Sequence, residues 1–313
     1  MLKILFIGTA ELAVSSLRAL GACPDYTLVG VVTQPDRPQG RKLQLKPSPV
    51  KEAAMGMGLP VLQPLKIRSE ESLSILSDLA PDLIVVAAYG QILPQSLLDL
   101  PRWGCLNVHT SLLPKYRGAA PIQWAILNGE SETGVTLMQM DAGLDTGPML
   151  AQQTTPISGE DTAETVHDRL ATIGGELLLK SIPDWIAGRL PARPQPAEGM
   201  SYARKIEKQD GLLEWKLPAR VLWNRVRGLV PWPGAFFDRT ENSATAILKV
   251  WQAEPLAASN GEPGEVLTVD SGGIVVRCGE DALRLRVLQR EGGKRLPSRE
   301  FLAGYPIAIG EKW

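Results

Sequence analysis

LKILFI (Leu2–Ile7) and LIVVA (Leu83–Ala87), together with LVGVV (Leu28–Val32), are the stretches that decide the fold of this 313-residue chain. Each is a short apolar run, which is typical of a strand buried on both faces of a parallel sheet. Val50–Met57 and Ser69–Leu79 lie between the second and third runs, and we predict helices there. Strands that alternate with helices predict βαβ units, and therefore an α/β fold with a doubly wound, Rossmann-like parallel sheet.

The same alternation continues to about residue 189. Cys105–His109 and Gly134–Met140 are predicted as further strands, and Thr162–Ala187 as a long helix that Pro183 interrupts. Residues 190–199 (LPARPQPAEG) contain three prolines and no apolar period, which is typical of an extended linker. We therefore predict a first domain over residues 1–189 and a linker over residues 190–207.

Residues 208–313 have a different pattern. Short alternating segments are separated by Gly and Pro, as in Gly264–Val269, Gly273–Arg277 and Leu283–Leu288. This pattern predicts a small β-barrel or sandwich as the second domain.

The composition excludes several classes of protein. Hydrophobic residues make up 44% and charged residues 21% of the chain, which argues against a disordered chain or a coiled coil. The formal net charge is −1, so a strong overall attraction for nucleic acid is absent. Residues 1–200 carry 16 basic and 20 acidic residues, and the remainder carry 17 and 14, so a small basic excess lies toward the C-terminus.

Cysteine spacing and hydropathy indicate the compartment. The three cysteines form no CxxC pair, which argues against a disulfide framework and against a cysteine-based zinc site. The first apolar run is short for a signal peptide, and no stretch approaches the ~20 apolar residues that span a bilayer. We predict a cytoplasmic protein with no membrane partner.

The turn after the first strand argues against a dinucleotide site. Gly8-Thr-Ala-Glu lacks the GxGxxG pattern that lets a backbone approach a pyrophosphate. A tight strand-to-helix turn is the simpler interpretation of Gly8, and this turn gives no support to a dinucleotide-dependent dehydrogenase, a common function of such sheets.

The segment Leu106–Pro121 (LNVHTSLLPKYRGAAP) holds the first candidate site residues. Strand alternation places Asn107 and His109 on one face, near the carboxyl end of a strand, where open α/β sheets bind their ligands. An amide donor beside an imidazole, without an adjacent nucleophile, suits polarising a carbonyl and holding an oxyanion. The alternative is a hydrogen-bonded strand end with no catalytic role.

A second candidate is the Gly-rich turn Met140–Pro148 (MDAGLDTGP), which holds Asp141 and Asp145. Either carboxylate could orient an imidazole or relay a proton. The alternative is an Asx-turn whose aspartates only cap the backbone. Neither aspartate has the spacing of a metal ligand, so we predict no metal site.

Basic residues cluster in two places. The long segment Gln34–Pro49 is either a solvated loop or a contact for a phosphate backbone, and it carries Arg37, Arg41, Lys42 and Lys46. In the C-terminal part, Trp223 and the turn Pro231–Phe236 accompany Arg225, Arg227, Lys294 and Arg295. Aromatic and basic residues interleaved on a β-barrel suit RNA binding, although each tryptophan could equally be core.

Seven motifs together resemble the methionyl-tRNA formyltransferase family. They occur in order over nearly the whole chain, and they are QPDRPxGR, VVAAYGQILP (Val85–Pro94), NVHTSLLPKYRGAAPIQWAI (Asn107–Ile126), MDAGLDTGPM (Met140–Met149), YARKIEKQDGLLEW (Tyr202–Trp215), VPWPGAF (Val230–Phe236) and GGKRLPSREFLAG (Gly292–Gly304). The second, third and fourth carry the candidate site. The chain departs from the family pattern at Ala10, Leu12 and Pro148, none of which is a candidate for the chemistry.

The resemblance implies a reaction and a site for it. The reaction is formyl transfer from 10-formyltetrahydrofolate, as co-substrate, to the α-amino group of methionine on initiator tRNA. Asn107 and His109 would stabilise the oxygen of the tetrahedral intermediate, and Asp145 would orient His109 and help proton transfer. The folate would lie against Ser111, Leu112, Leu113, Pro114 and the backbone of Ile92 and Leu93, with the turn of Asp141 closing over it. In the family, the peptide bond before the proline matching Pro114 is cis.

The resemblance also implies the RNA contacts. The second domain would be OB-like, over residues 208–313. Nothing in the sequence demands more than a monomer, and we expect one. The residues expected to bind tRNA are Arg37, Arg41, Lys42, Lys46, Arg225, Arg227, Lys294 and Arg295.

Three other functions remain open on the sequence. A formyltransferase for a small amine would need the same site without the basic loop. A formyltetrahydrofolate hydrolase would use water as the acceptor of the formyl group. A folate- or RNA-binding protein without turnover would have no use for Asn107, His109 and Asp145 together.

Overall fold

The computed structural model describes residues 1–39, 44–241 and 244–313, which form two compact units. The first unit comprises residues 1–121, 132–156 and 167–204, and the second comprises residues 122–131, 157–166 and 205–313. The domain boundaries predicted from the sequence stay a prediction. The segment 190–207 nevertheless differs from a free linker, because its residues up to 204 belong to the first unit.

The first unit is an α/β layer. Its strands are β1 (Leu2–Gly8), β2 (Tyr26–Val32), β3 (Arg37–Gln39), β4 (Gln44–Lys46), β5 (Val61–Leu62), β6 (Leu83–Ala87), β7 (Cys105–His109), β8 (Arg117–Gly118), β9 (Glu132–Gln139), β10 (Met149–Pro156) and β11 (Tyr202–Ala203). Its helices are α1 (Leu12–Ala22), α2 (Pro49–Gly56), α3 (Glu70–Asp78) and α4 (Gln95–Leu98). Two further helices, α5 (Pro121–Leu127) and α6 (Ala163–Ile186), include residues of both units.

Within the described residues, seven strands form the main sheet in the order β10-β9-β7-β6-β1-β2-β5. The five strands from β7 to β5 are parallel, whereas β9 and β10 are antiparallel additions at one side. The predicted α/β fold is therefore confirmed. Because parallel strands end at the same edge of a sheet, Gly8, Val32, Ala87 and His109 all lead toward that edge.

Local sequence explains these elements. All five residues of β6 are buried, as a strand with helices on both faces requires. The hydroxyls of Ser48 and Ser69 cap α2 and α3 by accepting hydrogen bonds from backbone N–H groups three residues on. The predicted interruption of the long helix is wrong, because α6 continues through Pro183 to Ile186. Pro183 lies in the last turn, so the hydrogen bond that it lacks and the crowding of the carbonyl four residues back affect only the end of the helix.

The second unit is rich in β-structure, as predicted. It contains a 3-10 turn (Lys208–Gly211), α7 (Ala219–Gly228), β12 (Ala235–Glu241), β13 (Ala244–Leu256), β14 (Val266–Asp270), β15 (Gly273–Arg277), β16 (Ala282–Arg290), β17 (Arg295–Pro297) and α8 (Ser298–Gly304). Over the described residues the strands pair antiparallel in the order β12-β13-β16-β15-β14, and β17 pairs with β16. The OB-like closure of this sheet stays a prediction. No helix in the described ranges is both long and apolar enough to cross a membrane.

An ion pair fastens the C-terminal residues to the second unit. Arg239 on β12 is buried and donates to both carboxylate oxygens of Glu311, over 2.6 and 3.1 Å, and the indole of Trp313 also donates to Glu311. Burial works against the charged form of Glu311, but the hydrogen bonds from Arg239 and Trp313 outweigh it and lower the pKa of this carboxyl below its ordinary 4.5.

We predict that Glu311→Gln destabilises the second unit by about 1–2 kcal/mol at pH 7, because a charge-assisted pair is replaced by neutral hydrogen bonds. A group with a lowered folded-state pKa stabilises above its unfolded pKa, and that contribution is lost as the pH falls through the folded value. The difference in unfolding free energy between wild type and variant should therefore shrink below about pH 4. Denaturant titrations at pH 7, 5 and 3.5 measure it, and a difference independent of pH would contradict the assignment.

Candidate active site

The predicted residues Asn107, His109 and Asp145 lie together at the carboxyl end of β7. This strand is held on both sides, by β6 in parallel and by β9 in antiparallel pairing. The side-chain amide of Asn107 donates to Asp145 Oδ1 over 3.3 Å, and His109 Nδ1 lies 3.7 Å from the same oxygen. His109 is buried, and the Asp145 side chain is 14% exposed. A carboxylate, an imidazole and an amide donor therefore share one small volume.

The His109 ring has a defined orientation. Its Nε2 atom lies 3.0 Å from the backbone oxygen of Tyr116. A carbonyl oxygen can only accept, so Nε2 must carry the hydrogen in this hydrogen bond. If the ring is neutral, Nδ1 carries no hydrogen; if the ring is protonated, Nδ1–H faces Asp145. Nδ1 is the ring atom left to take or give a proton.

The backbone of Asp145 is in the left-handed region, with φ at +52°. This conformation costs an L-residue on the order of 1 kcal/mol, although aspartate tolerates it better than most residues. The backbone N–H of Gly118 donates to Asp145 Oδ2 over 2.8 Å, which fixes the carboxylate that this turn presents. Gly147 completes the turn, where a Cβ atom would come within 1.9 Å of the backbone oxygen of Gln139.

Asp141 does not join the cluster around His109. It is exposed, and its Oδ1 accepts hydrogen bonds from the backbone of Gly143 over 3.0 Å and from Thr146 Oγ1 over 2.7 Å. The Asx-turn alternative therefore describes Asp141, and of the two aspartates only Asp145 contacts the strand residues.

Thr136 forms hydrogen bonds with the loop after β7. This loop contains Ser111, Leu112, Leu113 and Pro114. The buried Thr136 hydroxyl on β9 donates to Ser111 O over 2.7 Å. It accepts from Leu113 N over 3.0 Å and from Gln152 Nε2 over 2.9 Å, so its hydrogen-bonding capacity is filled. The Leu113–Pro114 bond is cis, as the resemblance predicts.

The segment after β6 holds the other two residues predicted to face folate. Leu93 is buried in the core of the first unit, whereas Ile92 is 80% exposed. The side chain of Leu93 is therefore not available to a ligand. Nearby, the backbone oxygen of Tyr89 accepts hydrogen bonds from Thr9 Oγ1 and Gln34 Nε2, and burial raises the pKa of the Tyr89 phenol to about 12.

The basic segment of the first unit, Gln34–Pro49, contains the strands β3 and β4. β3 pairs antiparallel with β4, which sets the exposed Arg37 opposite the exposed Lys46. Arg41 and Lys42 lie outside the described residues. Asp36 directly precedes β3 and accepts hydrogen bonds of 2.7 Å from Lys51 Nζ and from Gln63 Nε2. These hydrogen bonds lower the pKa of Asp36.

The predicted RNA-binding residues of the second unit divide into two groups. Arg227 is buried, stacks 4.2 Å from the ring centroid of Trp223, and donates to Asn224 Oδ1 and to Ser158 O. The guanidinium of Arg227 is thus engaged within its own unit, and the predicted role of this residue in RNA binding stays a prediction. Arg225 is half-buried and donates to the backbone oxygen of Leu212.

Lys294 and Arg295 differ from that first group because both are exposed. The Arg295 guanidinium lies 3.3 Å from the ring centroid of Trp251, a cation–π contact at the surface. These two residues remain candidates for an RNA contact.

Sequence reasoning missed Thr136 and Gln195. Gln195 Nε2 donates to the backbone oxygens of Asp145 and Gly147, over 2.7 and 2.8 Å. Arg117, which was quoted only as part of a motif, donates to Gln195 Oε1 through Nε and Nη2. A single threonine in a strand and a glutamine between two prolines carry no local signal of such roles.

Two family models match this chain: formyl transferase over residues 2–182, and the C-terminal domain of formyl transferase over residues 205–306. The chain belongs to the formyl transferase family. It is 49% identical over 312 residues to the methionyl-tRNA formyltransferase of Aromatoleum aromaticum, an alignment that covers 100% of this chain and 97% of the relative.

Solved structures show the same fold at lower identity. The N-formyltransferase from Helicobacter canadensis, crystallised with folinic acid and dTDP-3-aminofucose, matches with a TM-score of 0.66 and 20% identity, over 91% of this chain and 99% of that one. HypX from Aquifex aeolicus matches with a TM-score of 0.62 and 20% identity over 99% of this chain, which spans only 50% of the HypX chain.

We predict that Thr136→Val lowers the unfolding free energy by about 2–4 kcal/mol, because it leaves the buried Leu113 N–H without its acceptor while keeping the side-chain shape. Thr136→Ser keeps the hydroxyl and should cost only about 1 kcal/mol, the value of one buried methyl group. Denaturant unfolding of the two variants measures both. Equal losses for Val and Ser would mean that packing, and not the hydroxyl, holds the loop.

Proposed function

We propose that this protein transfers the formyl group of 10-formyltetrahydrofolate to the α-amino group of methionyl-initiator-tRNA. The observation that carries the proposal is the cluster of Asn107, His109 and Asp145 in a chain 49% identical to a methionyl-tRNA formyltransferase. The product would be N-formylmethionyl-tRNA for translation initiation.

The reaction needs one bond made and one broken. The neutral α-amine attacks the formyl carbon, and a tetrahedral intermediate forms with negative charge on its oxygen. The new C–N bond remains when the bond to N10 of the folate breaks. The amine loses one proton in this sequence, and N10 gains one as it leaves. The site must therefore stabilise an oxyanion and move a proton.

The geometry supports one assignment of roles. Asn107 gives one amide hydrogen to Asp145, so its second amide hydrogen serves the oxyanion. Because Nε2 of His109 is held by Tyr116 O, the protonated ring meets the reacting oxygen through Nδ1–H, and Asp145 balances its charge. The Asp145 carboxylate is also the base best placed to receive the proton of the attacking amine.

A folate donor is supported by the loop after β7 and by the relatives. Thr136 and the hydrogen bond from Gln152 to Leu113 O fix the backbone of residues 111–113. A fixed backbone suits a flat, polar ring system that forms hydrogen bonds with backbone groups. The Helicobacter canadensis N-formyltransferase of the same fold holds folinic acid. The backbone at Ile92 and Leu93 and the turn of Asp141 complete the proposed pterin site.

A tRNA acceptor is supported by exposed basic residues in each unit. In the first unit Arg37 and Lys46 are exposed, and Arg41 and Lys42 lie between them in the sequence. In the second unit, Lys294 and Arg295 beside Trp251 supply charge and an aromatic ring. A tRNA substrate places the reaction in the cytoplasm. A monomer suffices, since Asn107, His109 and Asp145 come from one chain.

A direct assay of acceptor choice tests this function. Transfer of labelled formyl from 10-formyltetrahydrofolate is measured with methionyl-initiator-tRNA, methionyl-elongator-tRNA and free methionine in parallel. Label on the initiator alone supports the proposal. Consumption of the folate without label on any acceptor would indicate a hydrolase, and label on a small amine in place of tRNA would indicate a small-molecule formyltransferase.

We predict that Asn107→Ala lowers kcat by about 10²–10³, the effect of removing one oxyanion donor. The ratio kcat/KM should fall by the same factor, because the contact is made only in the transition state. Steady-state kinetics with saturating folate measure both, with Asn260→Ala, an exposed asparagine of the second unit, as the control. A rise in KM at constant kcat would assign Asn107 to substrate binding instead.

A further inference from the structure

Residues 193–203 connect the two loops that carry the active-site geometry. Arg193 exchanges backbone hydrogen bonds of 2.9 and 2.8 Å with Met149, just after the turn of Asp145. Further along, β11 pairs in parallel with β8, which contains Gly118. We call residues 193–203 the strap. It contacts both the turn that presents Asp145 and the loop whose N–H group binds that carboxylate.

The side chain of Gln195, in the strap, makes hydrogen bonds to the turn itself. Its Nε2 donates to Asp145 O over 2.7 Å and to Gly147 O over 2.8 Å. Its Oε1 accepts from Arg117 Nε and Nη2 over 3.0 and 2.7 Å. Carbonyls only accept and a guanidinium only donates, so these four partners fix the orientation of the amide, and they fill its capacity.

Arg117 gives this amide an unusual electrostatic setting. Its guanidinium is buried, and it holds the oxygen of Gln195 by a two-pronged hydrogen bond. A cation on the oxygen side of an amide polarises it and strengthens donation from the nitrogen side. The backbone oxygens of Asp145 and Gly147 therefore bind a donor stronger than an isolated glutamine.

The turn needs such a donor because Asp145 is in the left-handed region, φ +52°. Fixing the carbonyls of Asp145 and Gly147 fixes the direction in which the Asp145 side chain leaves the turn. That side chain then meets Gly118 N over 2.8 Å and Asn107 Nδ2 over 3.3 Å. A small rotation of the turn would change both distances and the 3.7 Å separation from His109.

The geometry points to Gln195, polarised by Arg117, as a positioning residue. It keeps the Asp145 carboxylate in place beside His109 Nδ1 for proton transfer. This inference rests on the proposed formyl transfer and extends it to a residue outside the catalytic cluster. Gln195 touches neither reacting group in this assignment; it acts through the backbone of Asp145.

The test variant is Gln195→Glu, which keeps the side-chain length and the acceptor for Arg117 but removes both donors. The matched control is Gln153→Glu, an exposed glutamine of β10 in the same unit. We expect Gln195→Glu to lower kcat by about 10–100-fold, as small misplacements of catalytic groups do, with KM for each substrate within about twofold of wild type. Wild-type kcat in Gln195→Glu would overturn the inference.

A second background separates positioning from a general structural effect. In Asp145→Asn there is no catalytic carboxylate left to place, so adding Gln195→Glu should lower kcat by less than about twofold further. If the two substitutions instead multiply their full separate losses, Gln195 does not act through Asp145, and the inference is wrong.

The amide of Gly118 provides a readout independent of activity, since its N–H group donates to Asp145 Oδ2. In Gln195→Glu we expect its NMR amide resonance to shift and its hydrogen exchange to speed up, with no change in Gln153→Glu. An unchanged Gly118 amide overturns the inference even if formyl transfer is confirmed. If the wild-type chain formylates no methionyl-tRNA, the proposed function fails, while the Gly118 amide still decides the role of Gln195.

Should Gln195→Glu fail to fold, Arg117→Lys tests the same contact. Lysine keeps the positive charge but cannot grip Gln195 Oε1 at two points. We expect a smaller fall in kcat and a shifted Gly118 amide. Wild-type values of both would overturn the inference.

Discussion

The left-handed backbone of Asp145 is the constraint on which the proposed active site depends. An aspartate in an ordinary turn would direct its carboxylate differently, and the contacts with Gly118 and Asn107 would be lost. The conformation is unfavourable by itself, on the order of 1 kcal/mol, so it persists only because hydrogen bonds around it determine it. The N–H of Gly118 holds the carboxylate, and the side chain of Gln195 holds the backbone. The chemistry proposed for Asp145 is thus a consequence of groups that lie far from it in sequence.

A second feature of the first unit is that two polar side chains beside the site, Thr136 and Gln195, have their hydrogen-bonding capacity filled. The Thr136 hydroxyl makes three hydrogen bonds and the Gln195 amide makes four, which is the full capacity of each. A partly satisfied network in a buried site is costly and mobile, whereas a complete one selects a single arrangement. The carboxyl end of β7 lies at the sheet edge where the other parallel strands also end. Thr136 and Gln195 fix the conformation of the loops at that edge. The sheet thus determines where the candidate catalytic side chains lie, and the two polar side chains determine the orientation of the loops around them.

Much of the fold could be predicted because hydrophobic periodicity is a local property. The strands Leu83–Ala87 and Cys105–His109 coincide with their predicted bounds, and alternation alone placed Asn107 and His109 on one face. The choice between Asp141 and Asp145 could not be made locally, since both suit an Asx-turn. The contacts of Asp145 with Asn107 and Gly118 separate the two, and both partners are distant from it in sequence. Gln195 lies 50 residues from Asp145 in sequence, inside a proline-rich segment that reads as a free linker. The burial of Arg227 could not be predicted for the same reason, because the carbonyl of Ser158 that binds it is 69 residues away.

The central claim is that Tyr116 fixes the His109 ring so that Nδ1 faces Asp145. Nitrogen-15 NMR of the imidazoles tests it directly, and the chain has only two histidines to distinguish. A His167→Asn variant removes the other signal, which comes from a ring beside Asp168 on α6. At a pH where His109 is neutral, the account predicts a single tautomer with its hydrogen on Nε2. A hydrogen on Nδ1, or a rapid average of the two tautomers, would contradict it.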